Sequence, residues 1–292
     1  MMRPALQDSE FLADVRAVDA NDGHFRLWWL GQSGFLVQWR GGHLLLDPYL
    51  SDSLTKKYAE TDKPHIRMTE RVVEPSALDF VDVVTSSHNH TDHLDGETLR
   101  PLLRVNPGLR IVVPEANRQF AAERLGIDPQ LPLGVREGET VAVGVFRLTA
   151  VPAAHEDLRP EYAGYVVQFG AWTVYHSGDT LLYNGMAARL RKFAIDVALL
   201  PINGRAPERR VAGNLNAREA VALAEEIGAR LVIPCHYEMF TFNTADPREF
   251  TEAAEAIGQP YHLLRSGERW DSRSLGEGQS ATPLQPIKRG QL

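Results

Sequence analysis

Four side chains that can bind a metal ion lie within six consecutive residues, directly after an apolar run. They are His88, His90, Asp92 and His93, in a His-x-His-x-Asp-His pattern that follows residues 80–85. Imidazole nitrogens and carboxylate oxygens are ligands for zinc, manganese and iron. Positions i and i+2 project to the same side of an extended segment, so His88 and His90 can converge on one ion. Asp92 and His93 lie further along the turn and can serve a second ion.

Three further segments place a potential ligand just after a β-like run. His155, Asp179 and His236 occupy these positions, and Gly178 allows close approach of the backbone to a site. Active-site residues commonly lie on short loops that a rigid scaffold presents. The chain therefore offers five histidines and two aspartates at the ends of four predicted strands.

Hydrophobic patterns and turn residues predict strands in the first part of the chain, and helices alternating with strands later. The predicted strands are 25–30, 34–39, 43–46, 81–86, 109–113, two within 140–151, 162–169, 172–176, 197–201 and 231–234. The predicted helices are 8–20, 96–105, 115–125, 183–193, 216–227 and 247–257. Residues 49–75 are polar with little periodicity, which is typical of a lid. This order favours two packed sheets with helices outside over one doubly wound sheet.

The ligand set resembles that of the metallo-β-lactamase superfamily of binuclear metal hydrolases. The family pattern is His-x-His-x-Asp-His, then a His, then a Gly-Asp and then a final His, in that order. The resemblance covers about residues 25–265 and implies an α/β (α+β) fold, a four-layer αββα sandwich. It also implies the metal ligands, which are His88, His90 and His155 for a first ion, Asp92, His93 and His236 for a second, and Asp179 as a bridge. The resemblance also implies that Asp47, at the end of an early strand, orients one of the metal ligands without binding an ion itself.

Within the superfamily, several segments are similar to the branch that contains L-ascorbate-6-phosphate lactonase. They are residues 28–34, 175–179, 232–236 and 242–247. Residues 151–155 depart from the lactonase pattern and keep the general superfamily histidine. The lactonase resemblance implies manganese, whereas histidine-rich ligands suit zinc. Two divalent ions, zinc or manganese, are therefore the expected cofactors.

This ligand set predicts hydrolysis. Two cations about 3.5–4 Å apart lower the pKa of a bridging water and stabilise charge on attacking and leaving oxygens. We expect a hydroxide between two metals to attack a small anionic ester or lactone, a sugar-phosphate lactone above others. Asp92 is the candidate catalytic residue, which orients the hydroxide and passes on its proton. Arg205 is the candidate for recognition of an anionic substrate group, and the alternative, that it belongs to an ordinary solvated charged loop, has equal weight. Tyr237 is a second candidate for contact with substrate.

The alternative function is a phosphodiesterase or ribonuclease of the same superfamily. Those enzymes usually carry a nucleic-acid domain, and no insertion of that size interrupts the ligand motifs. The formal net charge of −7 also disfavours a surface for polyanions. Di-iron oxygen chemistry is a third hypothesis, but its superfamily version replaces the second histidine by glutamate, and here that residue is His90.

Composition predicts a cytoplasmic enzyme with a small-molecule substrate and with neither nucleic-acid nor membrane partners. Cys235 is the single cysteine, which fits a reducing compartment. The N-terminus has charges where a signal peptide needs an apolar stretch. No run approaches the roughly 18 apolar residues of a membrane span. We expect a helical extension at 1–24, a hydrolase domain at 25–270 and a flexible tail at 271–292. The sequence leaves open whether the protein forms a homo-oligomer.

Overall fold

Two mixed β-sheets lie face to face in the computed structural model, which describes residues 1–18, 22–210 and 212–276. In spatial order, the first sheet comprises β13 (Arg269–Asp271), β1 (Arg26–Gly31), β2 (Gly34–Trp39), β3 (Gly42–Leu46), β4 (Val83–Thr85), β5 (Arg110–Pro114) and β6 (Leu133–Val135). The second comprises β12 (Leu231–Cys235), β11 (Val197–Pro201), β10 (Trp172–His176), β9 (Leu158–Phe169), β8 (Phe146–Ala154) and β7 (Thr140–Val143). Strands β3 to β6 run parallel, as do β10 to β12.

Helices pack around the two sheets. They are α1 (Asp8–Arg16), α2 (Ser53–Tyr58), α3 (Gly96–Val105), α4 (Arg118–Leu125), α5 (Met186–Leu190), α6 (Ala217–Glu226) and α7 (Pro247–Ile257). Phe11, Leu99 and Ala121 bring α1, α3 and α4 onto the first sheet. Ala220 and Phe250 of α6 and α7 pack with the residues of the second sheet. The arrangement confirms the predicted αββα sandwich. No helix in the described ranges is both long and apolar enough to cross a membrane.

Strand β1 illustrates how the first sheet becomes a rigid scaffold. All six of its residues are buried. Leu27 and Trp29 join the core between the sheets, whereas Trp28 and Leu30 join the core under the helices, because successive side chains point to opposite faces. Burying each large apolar side chain contributes about 1.5–3 kcal/mol. The strands that end at the candidate ligands are therefore held from both sides.

Short elements account for most differences from the predicted secondary structure. The sequence prediction missed β6 and β13, since three residues are too few to display a period. The helix predicted at 115–125 begins with a 3₁₀ turn and becomes α-helical at Arg118. The helix predicted at 183–193 is reduced to α5 and a following 3₁₀ turn. The helix predicted at 8–20 ends at Arg16, and its residues 19 and 20 lie outside the described ranges.

Both ends of the described chain pack against the sheets. Phe11 and Val15 of α1 are buried in the first sheet's outer core. Ser272–Leu275 forms a 3₁₀ turn, and the Ser272 hydroxyl accepts a hydrogen bond from the Phe25 amide at 2.9 Å. The expectation of a flexible tail from residue 271 is therefore corrected, because residues 271–276 are part of the folded structure. The rest of that expectation, residues 277–292, lies outside the described ranges.

A cluster of ion pairs lies where β13 pairs with β1. The Arg26 side chain is buried and donates hydrogen bonds to Asp22 and Asp271. Arg273, which follows β13, also donates to Asp22. The hydrogen bonds from Arg26 lower the pKa of Asp22 from 3.8 to about 2. The ionised carboxylate therefore stabilises the folded chain.

We predict that Asp22→Asn lowers the free energy of unfolding by about 1 kcal/mol at pH 7. The folded-state pKa is depressed, so the stabilisation is fully present above about pH 4 and is lost as the pH falls through the folded pKa. Denaturant titrations across this range should show that the free energies of unfolding of wild type and variant converge at about pH 2. Asp79→Asn, which breaks the exposed pair with Arg16, is the control and should change stability little. A difference that stays constant with pH would contradict the prediction.

Candidate metal centre

All the predicted ligands lie on loops at one edge of the two sheets. The loop 86–95 leaves β4 and ends at Asp95, whose side chain caps the N-terminus of α3. His155 follows β8, Asp179 lies three residues after β10, and His236 follows β12. The first sheet thus supplies one loop with four ligand candidates, and the second sheet supplies three single candidates.

His88, His90 and His155 form the first group of ligand candidates. One nitrogen from each lies within 4.8 Å of the others, and Nδ1 of His90 is 3.2 Å from Nε2 of His155. Nδ1 of His155 is 3.1 Å from both the Gly213 carbonyl oxygen and Oδ1 of Asn214. A neutral imidazole that donates from Nδ1 keeps the lone pair on Nε2 for a metal. These contacts therefore orient His155 toward the group.

Asp92, His93 and His236 form the second group. Oδ2 of Asp92 is 3.7 Å from Nε2 of His93 and 3.9 Å from Nε2 of His236. Asp179 lies between the two groups, with its Oδ2 3.4 Å from Nε2 of both His93 and His236, and 3.8 Å from Nε2 of His155. One carboxylate oxygen therefore reaches both groups, as a bridging ligand must.

Asp47 orients His93 and the start of the ligand loop through hydrogen bonds. It is fully buried after β3, and its Oδ2 is 2.7 Å from Nδ1 of His93. It also accepts hydrogen bonds from the Ser87 amide and from the hydroxyls of Ser87 and Thr85. Asp47 is near enough to two histidines to be a ligand itself, but both of its oxygens are already engaged. Its bond to Nδ1 turns Nε2 of His93 toward the second group.

Unpaired buried nitrogens show that the residues fit metal ions. Nε2 of His88 is buried and has no hydrogen-bond partner in the described part of the chain, and buried Nε2 of His93 has only carboxylate oxygens at 3.4 Å or more beside it. An unsatisfied buried polar atom costs about 1–3 kcal/mol, and coordination would remove that cost. Five imidazoles and two carboxylates form a donor set that suits zinc or manganese.

The charges in the site also favour cations. Burial, together with the charge of His93, lowers the pKa of His88 well below its usual value, so the imidazole is neutral. Burial raises the pKa of Asp179, but His93 and His236 outweigh it and hold the pKa well below its usual value. Burial lowers the pKa of His93, but the acidic side chains, Asp179 first, raise it well above its usual value. His93 thus holds a proton that a metal cation would replace.

Two polar residues of the site were missed by the sequence prediction. Nε2 of Gln32 is 2.9 Å from Oδ2 of Asp92 and 3.0 Å from Nε2 of His236, so its amide lies beside the second group. Gln32 falls within residues 28–34, but nothing in that pattern distinguishes an amide with a role. Asn214, which orients His155, lies in an irregular segment far from any ligand motif.

Two residues predicted to contact substrate lie elsewhere. The Arg205 guanidinium donates to the Glu219 carboxylate at 2.7 and 3.2 Å, which ties it to α6. The Tyr237 ring is 1% exposed and stacks on Trp29 with ring centroids 4.3 Å apart, and its hydroxyl donates to the Leu264 carbonyl. Neither side chain lines the cleft above the ligands. The structure therefore places both side chains outside the cleft, where other contacts engage them.

A cleft of about 540 Å³ opens above the ligands. The segment predicted to be a lid forms one of its walls, together with residues 240–243. Arg67 fixes this segment, since it donates to the Asp52 carboxylate and the Ser51 carbonyl and lies over the Tyr49 ring. The side chains along the wall are Leu54, Lys57, Tyr58, Lys63, His65, Phe240, Phe242 and Asn243.

Known proteins resemble this chain over most of its length. A family model described as the beta-lactamase superfamily domain matches residues 43–237. A UPF0173 metal-dependent hydrolase from Hyperthermus butylicus is 30% identical over 76% of this chain and 87% of its own length. Igni18, a novel metallo hydrolase from Ignicoccus hospitalis, has a TM-score of 0.63 at 23% identity and covers 85% of this chain and 98% of its own. Isothiocyanate hydrolase from Delia radicum gut bacteria has a TM-score of 0.68 at 18% identity, with coverages of 84% and 98%.

Gly178 lets Asp179 approach the ligand loop closely. Its φ is +58°, and an added Cβ would lie 2.4 Å from Cβ and 2.6 Å from Oγ of Ser87. We predict that Gly178→Ala lowers the affinity for divalent cations roughly tenfold or more, because it displaces Asp179. The free energy of unfolding should fall by about 2–4 kcal/mol from the combined clash and backbone strain.

Gly228→Ala is the matched control. Gly228 also has a positive φ, +70°, but an added Cβ would meet no atom within 4 Å. This variant should lose only about 1 kcal/mol of stability and keep its metal affinity. Calorimetric titration with zinc and thermal unfolding measure the two quantities. Equal metal affinities in both variants would refute the role of Gly178.

Proposed function

Because this chain belongs to the metallo-β-lactamase superfamily, in the UPF0173 family of metal-dependent hydrolases, we propose that it cleaves a small anionic ester or lactone with two bound divalent cations. The position of Asp179 carries the proposal. Its Oδ2 lies 3.4 to 3.8 Å from histidines of both ligand groups. One carboxylate shared between two trios of ligands supports a pair of ions over a single ion.

In this proposal the first group would hold one cation and the second group the other, and Asp179 is within reach of both groups. Two such cations would lower the pKa of a water molecule between them and neutralise charge on the reacting oxygens. Zinc and manganese both match the donors. Histidine ligands favour zinc, while the resemblance to the lactonase branch favours manganese and a sugar-phosphate lactone.

Asp92 is the proposed catalytic residue, which orients the attacking water and moves its proton. Burial raises the pKa of Asp92, but the positive charge of His93, whose place a bound cation would take, outweighs burial and lowers it, so the carboxylate is ionised and can accept a hydrogen bond. Gln32 holds this carboxylate through the bond to Oδ2. In the reaction, the water oxygen bonds to the acyl carbon, the bond from that carbon to the alcohol oxygen breaks, and the departing alkoxide takes the proton that Asp92 removed from the water.

Cations at the mouth of the cleft support a negatively charged substrate. Lys57 and Lys63 both line the cleft, and neither forms an ion pair with a described residue. Nζ of Lys57 is 3.3 Å from the Thr91 hydroxyl, one residue before Asp92. Nζ of Lys63 donates to the Arg210 carbonyl at 2.6 Å. These two lysines replace Arg205 as the candidates for recognition of an anionic group.

We predict that the purified protein binds two divalent cations per chain and hydrolyses members of a panel of lactones and esters. Elemental mass spectrometry would count the ions. Treatment with a chelator should abolish turnover, and zinc or manganese should restore it. One ion per chain in fully active protein, or a phosphodiester as the preferred substrate, would overturn the proposal.

We predict that His90→Ala and Asp179→Ala each lower kcat/KM by about 10³-fold or more, since each removes a metal ligand. His90 is exposed, so its variant should keep the wild-type circular dichroism spectrum and unfolding temperature. His262→Ala, which alters a histidine outside both ligand groups, is the control and should retain activity. Full turnover in either ligand variant would contradict the assignment.

A further inference from the structure

Four rings form a continuous aromatic wall along one side of the metal cleft. They are Tyr58, His65, Phe240 and Phe242, and all four line the cleft. His65 is at the centre, stacked on Tyr58 with ring centroids 4.5 Å apart and an interplanar angle of 28°. The rings of Phe240 and Phe242 flank it at 5.3 and 5.2 Å. The wall therefore offers ring faces and edges to an occupant of the cleft.

One nitrogen of His65 remains available to that occupant. Nδ1 is 2.8 Å from the Lys63 carbonyl oxygen. A carbonyl can only accept, so Nδ1 carries the hydrogen and Nε2 is the second polar atom of the ring. Within the described ranges, Nε2 of His65 has no hydrogen-bond partner. The wall thus carries two hydrogen-bonding positions among its aromatic surfaces, Nε2 of His65 and the Tyr58 hydroxyl.

A positive charge lies at the edge of the wall. Nζ of Lys57 is 5.1 Å from the centre of the Tyr58 ring and 3.3 Å from the Thr91 hydroxyl. The neighbouring Lys56 differs, because its Nζ forms an ion pair with Glu97 at 2.8 Å. The charge of Lys57 is therefore directed to the cleft, while that of Lys56 is engaged on the surface.

We propose that this wall is a subsite for a planar ring that carries a negative charge. The proposal rests on the hydrolase function above and names its substrates as esters or lactones that contain an aromatic anion. Aromatic rings favour offset and edge-to-face contacts with other rings, which Phe242 and His65 offer. An anionic substituent would meet Lys57. A sugar ring needs several hydrogen-bond partners, and the wall supplies only His65 and Tyr58, with Asn243 beside it.

The experiment compares four acetate esters, of 4-hydroxybenzoate, phenol, 4-hydroxycyclohexanecarboxylate and cyclohexanol. They vary ring planarity and negative charge independently. A second set of esters places the ring in the acyl half. It comprises the uncharged methyl esters of benzoate and cyclohexanecarboxylate, and the methyl esters of the matching dicarboxylic acids, which keep one negative charge. Each kcat/KM is expressed as the ratio of wild type to variant, so that the intrinsic reactivities of the esters cancel.

Phe242→Leu should reduce the preference for aromatic over saturated rings roughly tenfold. Lys57→Met, which keeps the apolar stem, should reduce the preference for charged over uncharged esters roughly tenfold. Lys56→Met and Phe120→Leu are the controls, on the surface and on α4, and should change neither ratio. If neither Phe242→Leu nor Lys57→Met changes its ratio while esters are still hydrolysed, the subsite is overturned and the hydrolase function stands.

A binding measurement decides the subsite if no ester or lactone is hydrolysed, an outcome that would overturn the proposed function. The probe is 4-hydroxybenzoate, titrated calorimetrically into the metal-loaded protein. Binding that Phe242→Leu and Lys57→Met each weaken roughly tenfold, and that Lys56→Met leaves unchanged, supports the subsite. Equal binding to all of these variants, or no binding to wild type, overturns it.

Discussion

The hydrogen bond between His93 and Asp47 is the contact on which the site depends. It joins the end of β3 to the loop after β4, at a point with no solvent exposure on either side. Asp47 also holds the Ser87 amide, so one carboxylate fixes the start of the ligand loop and the direction of His93. A charged hydrogen bond in a low-dielectric interior is strong, and removal of one partner leaves a buried charge. The pairing of β3 with β4 therefore also positions the ligand loop that the first sheet contributes.

The two sheets share the ligand candidates, and protein contacts already align their edges. The amide of Ala163 donates to the Ser87 carbonyl at 3.0 Å, and the Tyr165 hydroxyl donates to the Ser86 carbonyl at 3.1 Å. Nε2 of His176 is 2.9 Å from the Ser33 carbonyl oxygen. These contacts join the sheets beside the ligands. Direct contacts between the two sheets therefore help to hold the ligand loops beside one another.

Much of this architecture could be predicted because it depends on local order in the sequence. Metal-binding side chains placed after apolar runs identify strand ends, and strand ends meet at one edge of a sandwich. The roles of Gln32 and Asn214 arise only when distant loops meet, so no local pattern distinguishes them. The packing of Tyr237 in the core could not be predicted either, because proximity to a ligand in sequence does not fix the direction of a side chain. The same holds for Arg205, because a charged loop does not reveal that α6 supplies a carboxylate.

Non-glycine residues in left-handed backbone conformations concentrate at the same edge. Gln32, Asp47 and His236 have φ values of +50°, +39° and +66°. Each such residue stores on the order of 1 kcal/mol of strain. The surrounding sheets hold these turns against a local tendency to relax, so heat should loosen this edge before the β-layers separate. Glycine would relieve the strain at each of these turns, but it would also remove a side chain whose contacts hold the reactive edge together.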